Sequence, residues 1–181
     1  MLTKKKLRSK ILSLLKKQKE EERLKKSKII KDKLFRLKVF KKAKRIMFYL
    51  AYNGEVETRQ MIREALKKGK IVAVPVCEPK YRKIIPSQIG PDTQFKRGPY
   101  GIEEPVILKP LPVAALDLVI VPGVAFDIKG RRLGRGKGYY DYFLKDIPSK
   151  TVVLGLAFNF QIVKHLPVLP HDVSLDKVLF A

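Results

Sequence analysis

The sequence predicts an α/β fold, a layered α/β/α sandwich around a mainly parallel sheet, preceded by a long basic N-terminal helical segment. Three observations lead there. Residues 4–45 contain neither glycine nor proline and carry apolar residues at helical spacing. Apolar stretches then recur at 45–52, 70–76, 116–126 and 151–158, alternating with helical or loop-rich segments, as in a sheet wound with helices. Finally, 181 residues, 45% of them apolar, suffice for one hydrophobic core and are too few for two full domains. One domain over 1–181 is expected, helical over 1–45 and α/β over 46–181.

Taken in order, Leu7, Ile11, Leu14 and Leu15, then Ile30, Leu34 and Leu37, place one or two helices in the first 45 residues. "RIMFYLAY" (45–52) reads as a strand closed by the turn Asn53-Gly54. Thr58 is suited to cap a helix running to Lys68, which Gly69 stops. "KIVAVPV" (70–76) is a second core strand, and Cys77 at its end reads as a structural thiol. The stretch 80–112 is rich in Pro and Gly and is expected to hold short strands at most. "LDLVIVPGVAF" supplies a third strand over 117–121, followed by a loop over 122–138 and a helix from Tyr139. "TVVLGLAF" is a fourth strand, and "VLF" at 178–180 a short edge strand.

Composition bounds the function. No stretch approaches the ~18 apolar residues of a membrane span, and the start lacks the long apolar run and small-residue cleavage site of a secretory signal. A single cysteine excludes an internal disulfide and fits a reducing, cytoplasmic setting. Net charge is +23, and residues 1–45 hold 20 basic and 4 acidic residues, +16 of that total. Three explanations stand side by side: a solvated Lys-rich helix surface, a nucleic-acid footprint, and steering of anionic ligands.

The densest chemistry is "GRRLGRGKGYYDYFL" (130–144), with four of the chain's 11 glycines at 130, 134, 136 and 138. Glycines let a backbone close on an anion, Arg131, Arg132, Arg135 and Lys137 add charge, and the following helix start offers free N–H groups. The stretch suits a polyphosphate, although it matches neither GxxxxGK[ST] nor GxGxxG. A glycine-rich turn with solvated charges and a basic-aromatic RNA loop are the alternatives. Asp141 falls in the first helical turn, where the dipole favours an acid and where a magnesium ion beside phosphates would need one.

The same stretch closely resembles the signature of the 5-formyltetrahydrofolate cyclo-ligase (methenyltetrahydrofolate synthetase) family. The resemblance runs nearly end to end, through "KKKLR", "FYLAYNGEVET", "GPYGIEEP", "LDLVIVPGVAFD", "LGLAFNFQIV" and "LPVLPHDVSLDKVLF". It implies that MgATP phosphorylates the formyl oxygen of 5-formyltetrahydrofolate. N10 then attacks the activated carbon, and 5,10-methenyltetrahydrofolate, ADP and phosphate result. By this resemblance Lys4 and Arg8 reach ATP phosphate, Arg8 also lying near the folate, and Leu50 and Glu55 meet the folate, where the Glu55 carboxylate suits the N–H-rich pterin edge. Arg132, Leu133, Gly134, Arg135, Gly136, Lys137, Gly138, Tyr139 and Tyr140 form the nucleotide loop, with the run Arg135–Tyr139 also facing the substrate. Arg135 and Lys137 lie nearest the transferring phosphoryl, and Asp141 and Asp172 hold Mg²⁺. Phe126, Tyr139 and Tyr140 could face the substrate's rings or pack in the core, and His171 is read as structural. "KYRKIIPSQIG" is less apolar than a stretch lining a folate pocket should be. A monomer acting on small molecules is expected. The alternatives are a basic RNA-binding protein, which lacks the signatures of common RNA modules, and a relative that binds folate or nucleotide without cyclising.

Overall fold

The computed structural model describes residues 3–167 and 173–181. In chain order the elements are α1 (Lys4–Lys17), α2 (Glu20–Arg36), α3 (Lys38–Lys42), β1 (Arg45–Met47), α4 (Arg59–Lys67), β2 (Ile71–Glu78), β3 (Lys83–Ile89), β4 (Phe95–Arg97), β5 (Glu103–Pro105), β6 (Leu118–Val121), β7 (Ala125–Asp127), β8 (Arg132–Leu133), α5 (Tyr139–Lys145), β9 (Val152–Ala157), β10 (Ile162–Val163) and β11 (Lys177–Phe180). Six strands form the central sheet in the order β11-β9-β6-β1-β2-β3, parallel throughout except for β2–β3.

Strand alternation builds the layers. Ile46, Leu118 and Ile120 face the cluster that contains Ile11, Leu15, Ile30, Leu34 and Met61 of the first helices. Met47, Val119 and Val121 face the opposite side, where Phe143 and Leu144 of α5 pack. The α/β/α sandwich is therefore present, with four helices on one face and a short one on the other. In α1 the buried residues are Leu7, Ile11 and Leu15, a single stripe four apart. Each such burial is worth about 1.5–3 kcal/mol.

Five features differ from the sequence reading. The N-terminal segment is three helices rather than one or two. It breaks at Gln18, whose amide donates to Leu15 O (3.2 Å) and Gly54 O (3.0 Å), satisfying a terminal carbonyl of α1 without Gly or Pro. The first strand ends at Met47, although Phe48 N still reaches Ala73 O. Beyond it, bonds within the segment replace the ladder: Tyr49 OH donates to Val56 O (3.0 Å) and Thr58 Oγ1 donates to Tyr49 O (2.6 Å). Thr58 therefore does not cap α4 with its hydroxyl; Glu57 Oε1 accepts from Arg59 N instead (2.8 Å).

Residues 83–89 form a seven-residue strand of the main sheet, not a short one. Pro86 lies opposite Pro75, but its carbonyl faces away from β2 and accepts from Leu111 N (2.8 Å), so the missing proline N–H costs the β2 ladder nothing. The loop after β6 also contains structure. β7 pairs with β8 and β10 in a small sheet that takes in the start of the glycine-rich segment.

Candidate active site

A cleft opens where β1, β2 and β6 end, the usual ligand position in an open α/β sheet. It encloses about 980 Å³, its open mouth included, and takes its walls from Tyr49–Glu55, Pro75–Cys77, the β4–β5 hairpin and the loop 132–141. The sequence dictates the loop's path at two points. Gly138 takes φ +76 at the entry to α5, and Gly130 takes φ +77 with the place of a Cβ only 2.2 Å from Leu175 O. A side chain is strained at the first and clashes at the second. The helix that follows has only seven residues, so loop amides and cations, more than a helix dipole, set the local charge.

Each basic side chain of the loop is held. Arg135 sends Nε and Nη2 to Glu55 Oε1 (3.1 and 2.8 Å) and Nη2 to Tyr52 O (3.1 Å), with its guanidinium 5.2 Å from the Tyr52 ring centre. Lys137 Nζ stands 4.2 Å from the centre of the Tyr100 ring, and the Tyr100 and Tyr139 hydroxyls meet at 2.8 Å across the mouth. Arg132 is buried, pairs with Asp141 Oδ1 at 2.5 Å and lies over the Tyr140 ring. From α1, Arg8 Nε donates to Gly134 O (2.9 Å), which brings the N-terminal helix onto the loop. Lys4 stands one turn earlier on that helix.

Glu55 is buried. Its Oε2 accepts from Tyr52 N (3.0 Å), and Arg23 of α2 holds its backbone carbonyl (2.8 Å). Burial pushes its carboxyl up, against the pull of Arg135. Burial, with the Glu104 carboxylate nearby, pushes the Cys77 thiol up to about 11, so it is protonated at neutral pH. Burial also raises the Tyr140 hydroxyl well above its ordinary value. The Tyr140 hydroxyl and Arg132 Nε are buried and have no hydrogen-bond partner among the described residues. Such groups are seldom left unmatched, and both border the cleft.

The chain is matched over residues 1–181 by the model of the 5-formyltetrahydrofolate cyclo-ligase family. The chain belongs to the 5-formyltetrahydrofolate cyclo-ligase family. The 5-formyltetrahydrofolate cyclo-ligase of Mus musculus is 33% identical over 96% of this chain and 91% of its own length. That of Haemophilus influenzae is 36% identical over 77% of this chain and 76% of its own. The solution structure of 5,10-methenyltetrahydrofolate synthetase from Aquifex aeolicus superimposes with a TM-score of 0.87 at 35% identity, covering 99% of this chain and 90% of that one.

Within this family member, the residues singled out from the sequence fall into four groups. Leu50, Glu55, Arg132, Gly134, Arg135, Lys137, Gly138, Tyr139, Tyr140 and Asp141 all line one cleft. Arg8 touches the loop from outside that wall, and a Cβ on Gly136 would lie 3.5 Å from its guanidinium carbon. Leu133 turns its side chain into the core, and Phe126 is a core residue, wedged under Gly123 and Gly155, not a ring platform. Asp172 and His171 lie outside the described residues. Cys77, Tyr100 and Glu104 also line the cleft, and sequence reasoning gave them no role in it. Only the alternation in Glu103-Glu104 could have signalled that one of the two acids turns inward.

Proposed function

We propose that this chain, as a single domain and a monomer in a reducing cytoplasmic setting, cyclises 5-formyltetrahydrofolate to 5,10-methenyltetrahydrofolate at the expense of MgATP. One observation carries the reading: a cleft walled at one end by a glycine loop with held cations and at the other by buried aromatic and aliphatic residues. The first end suits a polyphosphate and the second a flat ring system. Arg135 and Lys137 are the cations of that first end, and in this reading the transferring phosphoryl group passes beside them.

The chemistry follows from the weakness of the substrate. A formamide carbon is a poor electrophile and its oxygen a poor leaving group. The formyl oxygen attacks the γ-phosphorus, the bond to ADP breaks, and the carbon becomes activated by its phosphate ester. N10 attacks that carbon, the C–O bond breaks, and phosphate leaves, with the N10 proton passing to phosphate or water. Arg135 and Lys137 supply charge where negative charge accumulates on the transferring group. Lys4 and Arg8 reach the outer phosphates, and Leu50 and Glu55 flank the ring. Gly134, Gly136 and Gly138, with the backbone of Leu133, let the loop close on the anion. Tyr139 and Tyr140 border both substrates.

Mg²⁺ bound with ATP would neutralise phosphate charge, with Asp141 among the residues that would hold it. Asp141 fits it: Oδ1 is taken by Arg132, whereas Oδ2 accepts no hydrogen bond among the described residues. Among the described residues no three His, Cys, Asp or Glu side chains converge, and Mg²⁺ needs only one or two carboxylates beside phosphate oxygens. Asp172 is the second carboxylate proposed. Asp141→Asn should raise the Mg²⁺ concentration that gives half-maximal turnover. The reading itself is tested by following methenyl absorbance on mixing protein, MgATP and 5-formyltetrahydrofolate. Product that requires both nucleotide and divalent cation supports it. No product, or product at full rate without nucleotide, contradicts it.

A further inference from the structure

The cleft contains a second buried carboxylate, Glu104, which the reaction above does not use. It is placed by strand alternation. In β5, Glu103 turns outward to pair with Arg59, and Glu104 turns inward, 6% exposed. Space for it is provided by Gly98, which immediately follows β4. A Cβ there would fall 2.6 Å from the Glu104 carboxyl carbon, so any other residue would displace the group. Its Oε1 accepts from Cys77 N at 2.8 Å. Among the described residues it makes no ion pair and no other hydrogen bond. Glu55 is the contrast, since it takes two bonds from Arg135 and one from Tyr52 N.

An ionised carboxylate in a wall of proline, isoleucine, tyrosine and cysteine is costly unless something donates to it. We propose that Glu104 is a specificity-determining residue that accepts hydrogen bonds from the N–H-rich edge of the substrate's pterin ring, the 2-amino group and the neighbouring ring N–H. This rests on the folate reading above. The match is one of pattern. Two adjacent donors meet a carboxylate squarely, whereas the corresponding edge of adenine places a donor beside an acceptor. The position also fits, because Glu104 lies on the β4–β5 hairpin against Cys77 and, among the described residues, is not paired with the cations of the phosphate loop.

The test is Glu104→Gln. The variant's amide oxygen can still accept from Cys77 N, which keeps the fold, while its NH₂ faces the ligand's donors. Calorimetric binding of 5-formyltetrahydrofolate should weaken roughly 10–100-fold, the span expected for losing hydrogen bonds to a charged group. MgADP binding, measured in the same way, should be unchanged, and the unfolding midpoint should not fall. On the ligand side, the parent should bind a 2-desamino analogue as much more weakly than 5-formyltetrahydrofolate, and the variant should bind both alike. Equal affinity of parent and variant for 5-formyltetrahydrofolate would overturn the assignment, as would a parent indifferent to the 2-amino group. A parent that binds no 5-formyltetrahydrofolate at all overturns the substrate reading, and this assignment with it.

Discussion

Two regions of the molecule are densely basic, and they use their charge differently. The helical segment 1–45 carries +16, and its lysines at 5, 6, 10, 16, 17, 19, 25 and 28 are exposed. Where they pair, they do so across one helical turn at the surface, as Lys28 does with Asp32 at 3.3 Å. Such contacts are worth little and are screened by salt. The loop 131–137 carries only four cations, but its arginines meet acids, carbonyls or a ring nitrogen and its lysine stands over an aromatic face. Two of the acids, Asp141 and Glu55, border the cleft. The lesson is that number of charges does not locate function; charge that is held in place beside a cavity does.

The comparison can be broken first at its strongest point. Arg135→Ala and Lys137→Ala should each lower kcat about 100-fold, ~3 kcal/mol of transition-state stabilisation, with a smaller change in KM. Lys25→Ala and Lys28→Ala should leave turnover unaltered. Steady-state kinetics on the four variants decides it, and a change confined to KM would move Arg135 and Lys137 out of the phosphoryl path.

A second difference concerns stability. Arg132→Ala strands Asp141 beside a buried space and should cost about 3 kcal/mol, the low end for breaking a buried pair because the Asp141 side chain keeps 25% of its surface. Any single exposed lysine of α2 changed to alanine should stay within about 0.5 kcal/mol. Denaturant titration of each variant gives both numbers.

The helices and parallel strands were legible because local pattern decides them. β2, β6 and β9 are apolar runs buried on both faces, and the stripe Leu7, Ile11, Leu15 announces α1. The glycine loop was legible for the same reason, its composition being local. β3 was not: Lys83, Pro86, Ser87 and Gln88 interrupt any alternation, and its register comes from β2 and from bonds to residues 109–111. The pairing of Arg135 with Glu55 spans 80 residues of chain and has no local signature. Glu104 was hidden likewise, since only its pairing in a hairpin turns it inward while its neighbour meets Arg59.

A smaller effect sharpens the account of Glu55. Its folded-state carboxyl is raised, with burial as the largest cause, so the folded form holds that proton more tightly than the unfolded chain does. The resulting stability is present at low pH and is lost as pH rises from the ordinary carboxylate range through the raised value. Glu55→Gln should remove that slope, so the variant should gain on the parent as pH increases through this window. Unfolding free energies measured at acid and neutral pH test the sign, and a parent that gains on the variant instead would mean that Arg135 outweighs burial.

The most direct test of the contrast between the two basic regions is a titration of MgATP into isotopically labelled protein, followed amide by amide by NMR. The account predicts shifts concentrated at Gly134, Gly136, Lys137, Gly138 and Tyr139, saturating together at one site, with the amides of residues 20–36 unmoved. Shifts dominated by the lysine-rich helices, growing without saturation and abolished by moderate salt, would contradict it.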